Sequence, residues 1–196
     1  VIAINLRDDD EVISAQLVSE SDDLLLVSRK GLSARFHADD DTLRPMGRAT
    51  AGVIGMRFRG DDQLLSMEVV REDCFVVTVT DGGFAKRTPV QDWAPKGRGI
   101  LGVRAMRLVE ERGALVGALV CSVDDQIFAV ASDGIVIRTR VDEIRPSGRD
   151  TMGVRLMNLG DDRSLVAVAR TTESDEVDED DLIVDESVTD EVIPQG

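Results

Sequence analysis

The segment Gly97-Arg98-Gly99-Ile100-Leu101-Gly102 spells G-x-G-x-x-G, a pattern that can cradle the pyrophosphate of a dinucleotide. That chemistry needs a strand before the glycines and a helix after them, so that the helix N-terminus meets the phosphates. Here the run continues as Val103-Arg104-Ala105-Met106, which reads as a strand, and two related segments read Gly47-Arg48-Ala49 and Gly148-Arg149-Asp150. The spacing of Gly47 and Gly52 imitates a phosphate loop but lacks the Lys-Ser/Thr pair that holds phosphate and magnesium. The single histidine, His37, cannot anchor a histidine-based metal site, and Cys74 and Cys121 lack paired-thiol spacing. Both cysteines read as buried strand thiols in a reducing compartment. Asp8-Asp9-Asp10, Asp39-Asp40-Asp41 and Asp161-Asp162 do not continue into a twelve-residue calcium loop, and read as acidic turns. No Gly-x-Ser-x-Gly elbow accompanies His37, and there is no tyrosine for covalent chemistry. The chain by itself is expected to be no enzyme and to hold no cofactor or metal.

The remaining chemistry lies in the cations, which fall at recurring places. One set follows hairpin turns: Arg29, Lys30 and Arg35, then Lys86 and Arg87, then Arg138 and Arg140. The other occupies glycine-containing loops: Arg44 and Arg48, Lys96 and Arg98, Arg145 and Arg149. A guanidinium fork matches phosphate, and a regular row of forks matches a polymer with evenly spaced phosphates. The alternative is a set of solvated strand ends paired with neighbouring aspartates. The formal charge of −15 argues against a polyanionic partner until its location is considered. Eleven of the 38 acids lie between Glu173 and Glu191, and no Lys or Arg follows Arg170. The 27 other acids nearly balance 23 bases. Residues 171–196 are therefore expected to stay unfolded, as a solubilising tail or as a tethered competitor for whatever the arginines bind.

The elements that would position these cations repeat. Gly-Arg recurs at 47, 97 and 148, and each copy continues as Val-x-x-Met-x-apolar: Val53/Met56/Phe58, Val103/Met106/Leu108 and Val154/Met157/Leu159. Gly31 with Arg35, Gly83 with Arg87 and Gly134 with Arg138 keep the same register. The opening Val1-Ile2-Ala3-Ile4-Asn5-Leu6 matches the run after Gly52, so the chain is expected to begin partway through an earlier copy as a fragment. Each unit reads as four short strands, in one copy 103–108, 115–122, 126–132 and 135–140, rich in Val, Ile, Leu and Phe. Asp133-Gly134 reads as a two-residue hairpin turn with both residues at positive φ. The glycines at 47/97/148 and 52/102/153 are expected to serve left-handed or closely approached backbone. Four strands per roughly 40–50 residues is the pattern of propeller blades.

Five Phe, one Trp and no Tyr leave few exposed rings for stacking single-stranded bases, so contact with a duplex backbone fits better. The Gly-Arg-x-x-x-Gly-Val…Met loops, the Asp-Gly…Lys-Arg-Thr and Asp-Gly…Arg-Thr-Arg hairpins and the acidic tail together resemble the C-terminal domain of the A subunit of bacterial DNA gyrase. The resemblance covers about residues 1–170. It implies an all-β, propeller-like β-pinwheel of four-stranded blades that exchange strands, about three and a half blades here, followed by the acidic tail. The units run roughly 1–6 (a remnant), 7–58, 59–108 and 109–159, with a last strand at 160–170.

The family's wrapping box, Gln-Arg-Arg-Gly-Gly-Lys-Gly, is missing; its nearest counterpart, residues 96–102, keeps only Arg98, Gly99 and Gly102. The implied function is DNA wrapping on a basic rim in support of ATP-dependent negative supercoiling, with ATP and magnesium handled by the cleavage core and the B subunit. The implied partners are duplex DNA, the rest of the A subunit, and the B subunit in an A2B2 holoenzyme, in the cytoplasm on the nucleoid and away from membranes. The candidate DNA contacts are Arg35, Arg44, Arg48, Lys86, Arg87, Lys96, Arg98, Arg138, Arg140, Arg145 and Arg149. The alternatives are the C-terminal domain of the related topoisomerase IV subunit, or a propeller that serves as a protein-interaction platform.

Overall fold

Three antiparallel hairpins form the framework of the computed structural model, which describes residues 4–160 and 162–171. They are β1 (Asp23–Ser28) with β2 (Leu32–His37), β4 (Phe75–Thr80) with β5 (Phe84–Pro89), and β8 (Gln126–Ala131) with β9 (Val136–Arg140). Each turn closes with the same bond: the glycine N–H donates to the carbonyl three residues back, Gly31 to Ser28, Gly83 to Thr80 and Gly134 to Ala131. Only the glycine of each turn has positive φ, at 79°, 80° and 86°. The expected two-residue Asp133-Gly134 turn is therefore a three-residue loop, with Asp133 in ordinary backbone and the left-handed step left to the glycine.

The other strands are β3 (Leu64–Val70), β6 (Val103–Arg104), β7 (Leu115–Cys121), β10 (Val154–Arg155) and β11 (Leu165–Thr171). They complete sheets ordered β3-β1-β2-β6, β10-β5-β4-β7 and β11-β8-β9. The four strands that sequence periodicity groups into one unit, 103–140, are thus divided among three sheets. Local pattern identifies a strand, but its partners depend on where the chain returns in space. After β5 the glycine loop goes back to add β6 to the first hairpin, and after β9 it goes back to add β10 to the second. This is the strand exchange of a pinwheel, and the molecule is an all-β propeller of successive blades.

Glycine makes the exchange possible. Gly102 and Gly153 have φ of 82° and 72°. A Cβ on either would run into the carbonyl of Ser33 or Ala85, on the strand being joined. The central strands β1 and β4 are buried on both faces. A blade packs on each side of β4, whereas the second face of β1 is covered by Ala38, Leu43, Met56 and Ile100 from the connecting segments. Leu25, Val27, Val76, Trp93, Met106 and Val120 fill the space between the first and second blades. Val77, Val79, Ile127, Ala129 and Leu165 fill that between the second and third. In β8 burial alternates, since only one face meets a neighbouring blade. Residues 4–22 contain no strand, and Thr171, expected in the tail, ends β11. The acidic tail at 172–196 lies outside the described residues. Among the described residues no helix is long and apolar enough to cross a membrane.

Candidate nucleic-acid interface

Strand exchange stacks the three Gly-Arg loops on one another. The N–H of Asn5 donates to Thr50, that of Arg57 to Ile100 and that of Arg107 to Thr151, at 2.8–3.0 Å. These are equivalent positions in successive copies, so the loops form one continuous row. The N–H of Lys96 donates to the Arg35 carbonyl and that of Ser147 to Arg87, fixing each loop to the preceding hairpin. Arg48, Arg98 and Arg149 therefore occupy the same place on adjacent steps. Arg98 Nη1 donates to the Ile54 carbonyl, and Arg149 Nη1 makes the equivalent bond to Arg104, each at 3.3 Å. Arg98 Nε also donates to Thr42 at 2.8 Å. None of these partners is a carboxylate, so the guanidinium charge stays uncompensated.

Arg44, Arg48, Lys96 and Arg145 are exposed. Their side chains make no hydrogen bond or ion pair among the described residues. Arg98 is exposed too, whereas Arg149 is half-buried near the Trp93 ring. Together these six side chains give the row its cationic character.

The hairpin cations behave differently. Lys86 is fully buried, and its Nζ donates to the carbonyls of Gly148 and Arg149 at 2.8 and 2.5 Å. Burial pulls its pKa down to about 8. As a candidate DNA contact Lys86 is corrected to a bolt under the third loop, because no phosphate can reach it. Arg35 is corrected likewise. Its side chain is 17% exposed, pairs with Asp23 through Nε and Nη2, and gives Nη1 to the carbonyls of Val90 and Trp93.

Arg87, at the equivalent place, finds Phe75 where Asp23 would be. Its guanidinium lies 4.8 Å from the ring, and Nη2 donates to the Asp142 carbonyl. Its Nε and Nη1 are buried without a partner. Arg138 lies over the Phe128 ring, and Arg140 grips Asp142 through two bonds of 2.9 and 3.0 Å. That grip raises the Arg140 pKa and lowers that of Asp142. Equivalent loop residues thus gather into one row, while strand geometry diverts much of the hairpin set into bracing.

Arg104 and Arg107 stand outside both recurring basic places, the hairpin end and the Gly-Arg loop, and neither position is basic in all three copies. Position 104 is Ile54 and Arg155 in the sister copies, and position 107 is Arg57 and Asn158. Both arginines lie beside the loop row and bind Asp150, the one acid in the three Gly-Arg loops. Their closeness in space was not visible in the spacing. Among the described residues no cluster of His, Cys, Asp and Glu could hold a metal ion.

The comparisons with known proteins agree with this architecture. The family model of the DNA gyrase C-terminal domain, a β-propeller, matches residues 1–19, 22–71, 75–122 and 125–172. The A subunit of DNA gyrase from Streptomyces coelicolor is 57% identical over 196 residues, covering 95% of this chain and 23% of that protein. Its counterpart from Mycolicibacterium smegmatis is 50% identical over 179 residues, covering 91% of this chain and 21% of its own length. The chain thus spans less than a quarter of these curated relatives. A solved DNA gyrase A C-terminal domain superposes with a TM-score of 0.80 at 29% identity, covering 88% of this chain and 58% of that one. A topoisomerase IV C-terminal domain gives a TM-score of 0.79 at 24% identity, over 86% and 52%, which is a likeness of fold. Four successive matched segments, three of which each span a hairpin and the strands its loop leads to, place the chain in the DNA gyrase C-terminal domain family.

Proposed function

We propose that the chain binds duplex DNA along its row of Gly-Arg loops and bends it, as the C-terminal part of a DNA gyrase A subunit. In that role it serves ATP-dependent negative supercoiling, with the B subunit supplying the ATPase and the rest of the A subunit the cleavage chemistry. It acts in the cytoplasm on nucleoid DNA. The observation that carries the reading is the set of equivalent backbone bonds that stacks the loops, bringing Arg44, Arg48, Lys96, Arg98, Arg145 and Arg149 into one row.

A second feature supports it. Gly47, Gly97 and Gly148 recur, yet they have ordinary φ and nothing within 4 Å of a Cβ built on them. The fold does not require glycine there. A phosphate backbone lying close against the loop does. The contacts would be independent of sequence, because guanidinium and ammonium groups meet phosphates rather than base edges.

Gel shift of a duplex of about 100 base pairs tests the reading. With about six phosphates neutralised, affinity falls about 10³-fold between 50 and 200 mM salt. Changing Arg44, Arg48, Lys96 and Arg145 to Gln weakens binding and flattens the salt slope by about 3–4 units without loss of fold, since these side chains brace nothing. Salt-insensitive binding, or none at 50 mM, defeats the proposal.

A further inference from the structure

Beside the loop row, an open cleft of about 500 Å³ is edged by Lys30, Arg59, Arg104 and Arg107, with Leu32 and Met106 in its lining. Its acid, Asp62, is turned to the backbone, accepting from the N–H groups of Lys30 and Gln63 at 2.9 Å. Lys30 pairs with Asp61. Arg104 and Arg107 reach out of the cleft to a single carboxylate on the next loop. Arg104 Nη1 meets Asp150 Oδ1 at 2.6 Å; Arg107 Nε and Nη2 take Oδ1 and Oδ2 at 3.1 and 2.9 Å. This fork is the geometry with which arginine holds a phosphate.

The three side chains are 51–53% exposed, so the contact is open to exchange with an anion from solvent. It is also peculiar to this step of the row. The counterparts of Asp150 are Ala49 and Gly99, and neither sister copy has arginine at both positions matching 104 and 107. The repeat folds without the acid, and the acid stands where two unmatched arginines need a counter-charge.

We propose that this cleft is a further phosphate site for duplex DNA, and that Asp150 is a resident phosphate mimic which a DNA phosphate must displace from Arg104 and Arg107. The proposal rests on the DNA reading above. It implies that the row is weakened at one step by its own sequence, so that DNA engages this step only by displacing Asp150. The exchange is one anion for another on the same fork, with hydrogen bonds to Asp150 replaced by hydrogen bonds to phosphate and no covalent bond made or broken.

The test compares the 196-residue chain with Asp150→Asn and with Asp150→Asn combined with Arg104→Gln and Arg107→Gln. Asp150→Asn is expected to tighten duplex binding at low salt. Its loss of affinity between 50 and 200 mM salt should exceed the unaltered chain's by a further factor of about 3–12, one or two added phosphate contacts. The triple variant should lose that gain. A folded Asp150→Asn with unchanged affinity and slope overturns the proposal, as does a gain that survives without the two arginines. Should Asn not be tolerated, Asp150→Gly, the residue at the matching position 99, takes its place.

A second readout does not depend on DNA. Inorganic phosphate titrated into Asp150→Asn should shift the Arg107 Nε–H resonance saturably, and a flat titration removes the site. If no variant binds duplex at 50 mM salt, the DNA reading itself has failed, and the phosphate titration still decides whether the cleft holds an anion.

Discussion

Lys86 shows how burial reassigns a cation. It lies in a basic hairpin end, beside Arg87, yet it is the residue on which the third loop rests. Its depressed pKa has a definite consequence for stability. The unfolded chain keeps Lys86 protonated up to about its ordinary 10.5, whereas the folded chain releases that proton near 8. Between these values the unfolded state binds more protons, so the contribution of Lys86 to folding rises with pH. Relative to Lys86→Met, the unaltered chain should gain about 3 kcal/mol between pH 8 and 10.5, read by urea unfolding at several pH values. The cysteines cancel in this comparison, and no tyrosine titrates in the window. A constant gap would show that the ammonium is not desolvated. Arg35, Arg87 and Arg138 make the related point that equivalent positions take their roles from their neighbours. Asp23 turns the first into an ion pair and Phe75 turns the second into a ring contact.

At the scale of elements, glycine separates structural from functional recurrence. Gly102→Ala combines a left-handed backbone with a collision against the strand that β6 joins, and should cost about 2–3 kcal/mol. Gly97→Ala meets neither obstacle and should change stability by under about 1 kcal/mol. Its effect should appear in DNA binding instead, a loss of about tenfold as one phosphate is pushed away from the loop. Thermal unfolding and gel shift on the two variants separate these outcomes. Equal destabilisation by both would remove the argument that the Gly-Arg glycines keep room for a ligand. The strands themselves were legible from β-branched runs and turn residues: 126–132 and 135–140 fall within a residue or so of β8 and β9. The pairing was not. A two-residue strand such as β6 has too little local pattern to announce that it belongs to a hairpin some 70 residues earlier.

For the whole molecule, the blades meet only their neighbours, and two hydrophobic clusters sit between consecutive sheets. Equivalent loops are therefore held at regular steps, and the distribution of charge along that row governs binding. The acidic segment from Glu173 onward carries eleven of the 38 acids on the same chain as the row. Cleavage after Thr172 should raise affinity for duplex DNA by about tenfold at low salt, with less effect as salt screens the tail. Unchanged affinity at 50 mM salt would leave the tail no part in competition.

Sequence alone determined the repeat, the all-β class and the loops that hold the row of cations. Each follows from residue type and spacing, and a period near fifty residues survives any ignorance of contacts. It also held enough motif to indicate the family. Tertiary structure alone decided which cations face solvent. Lys86 and Arg35 share their sequence signature with exposed neighbours, and only the returning loop covers the one and sets carbonyls against the other. It also decided that Arg104, Arg107 and Asp150 meet across more than forty residues. Strand exchange carries each loop back onto the preceding blade, so contacts across the row are set by packing, which short-range spacing does not encode.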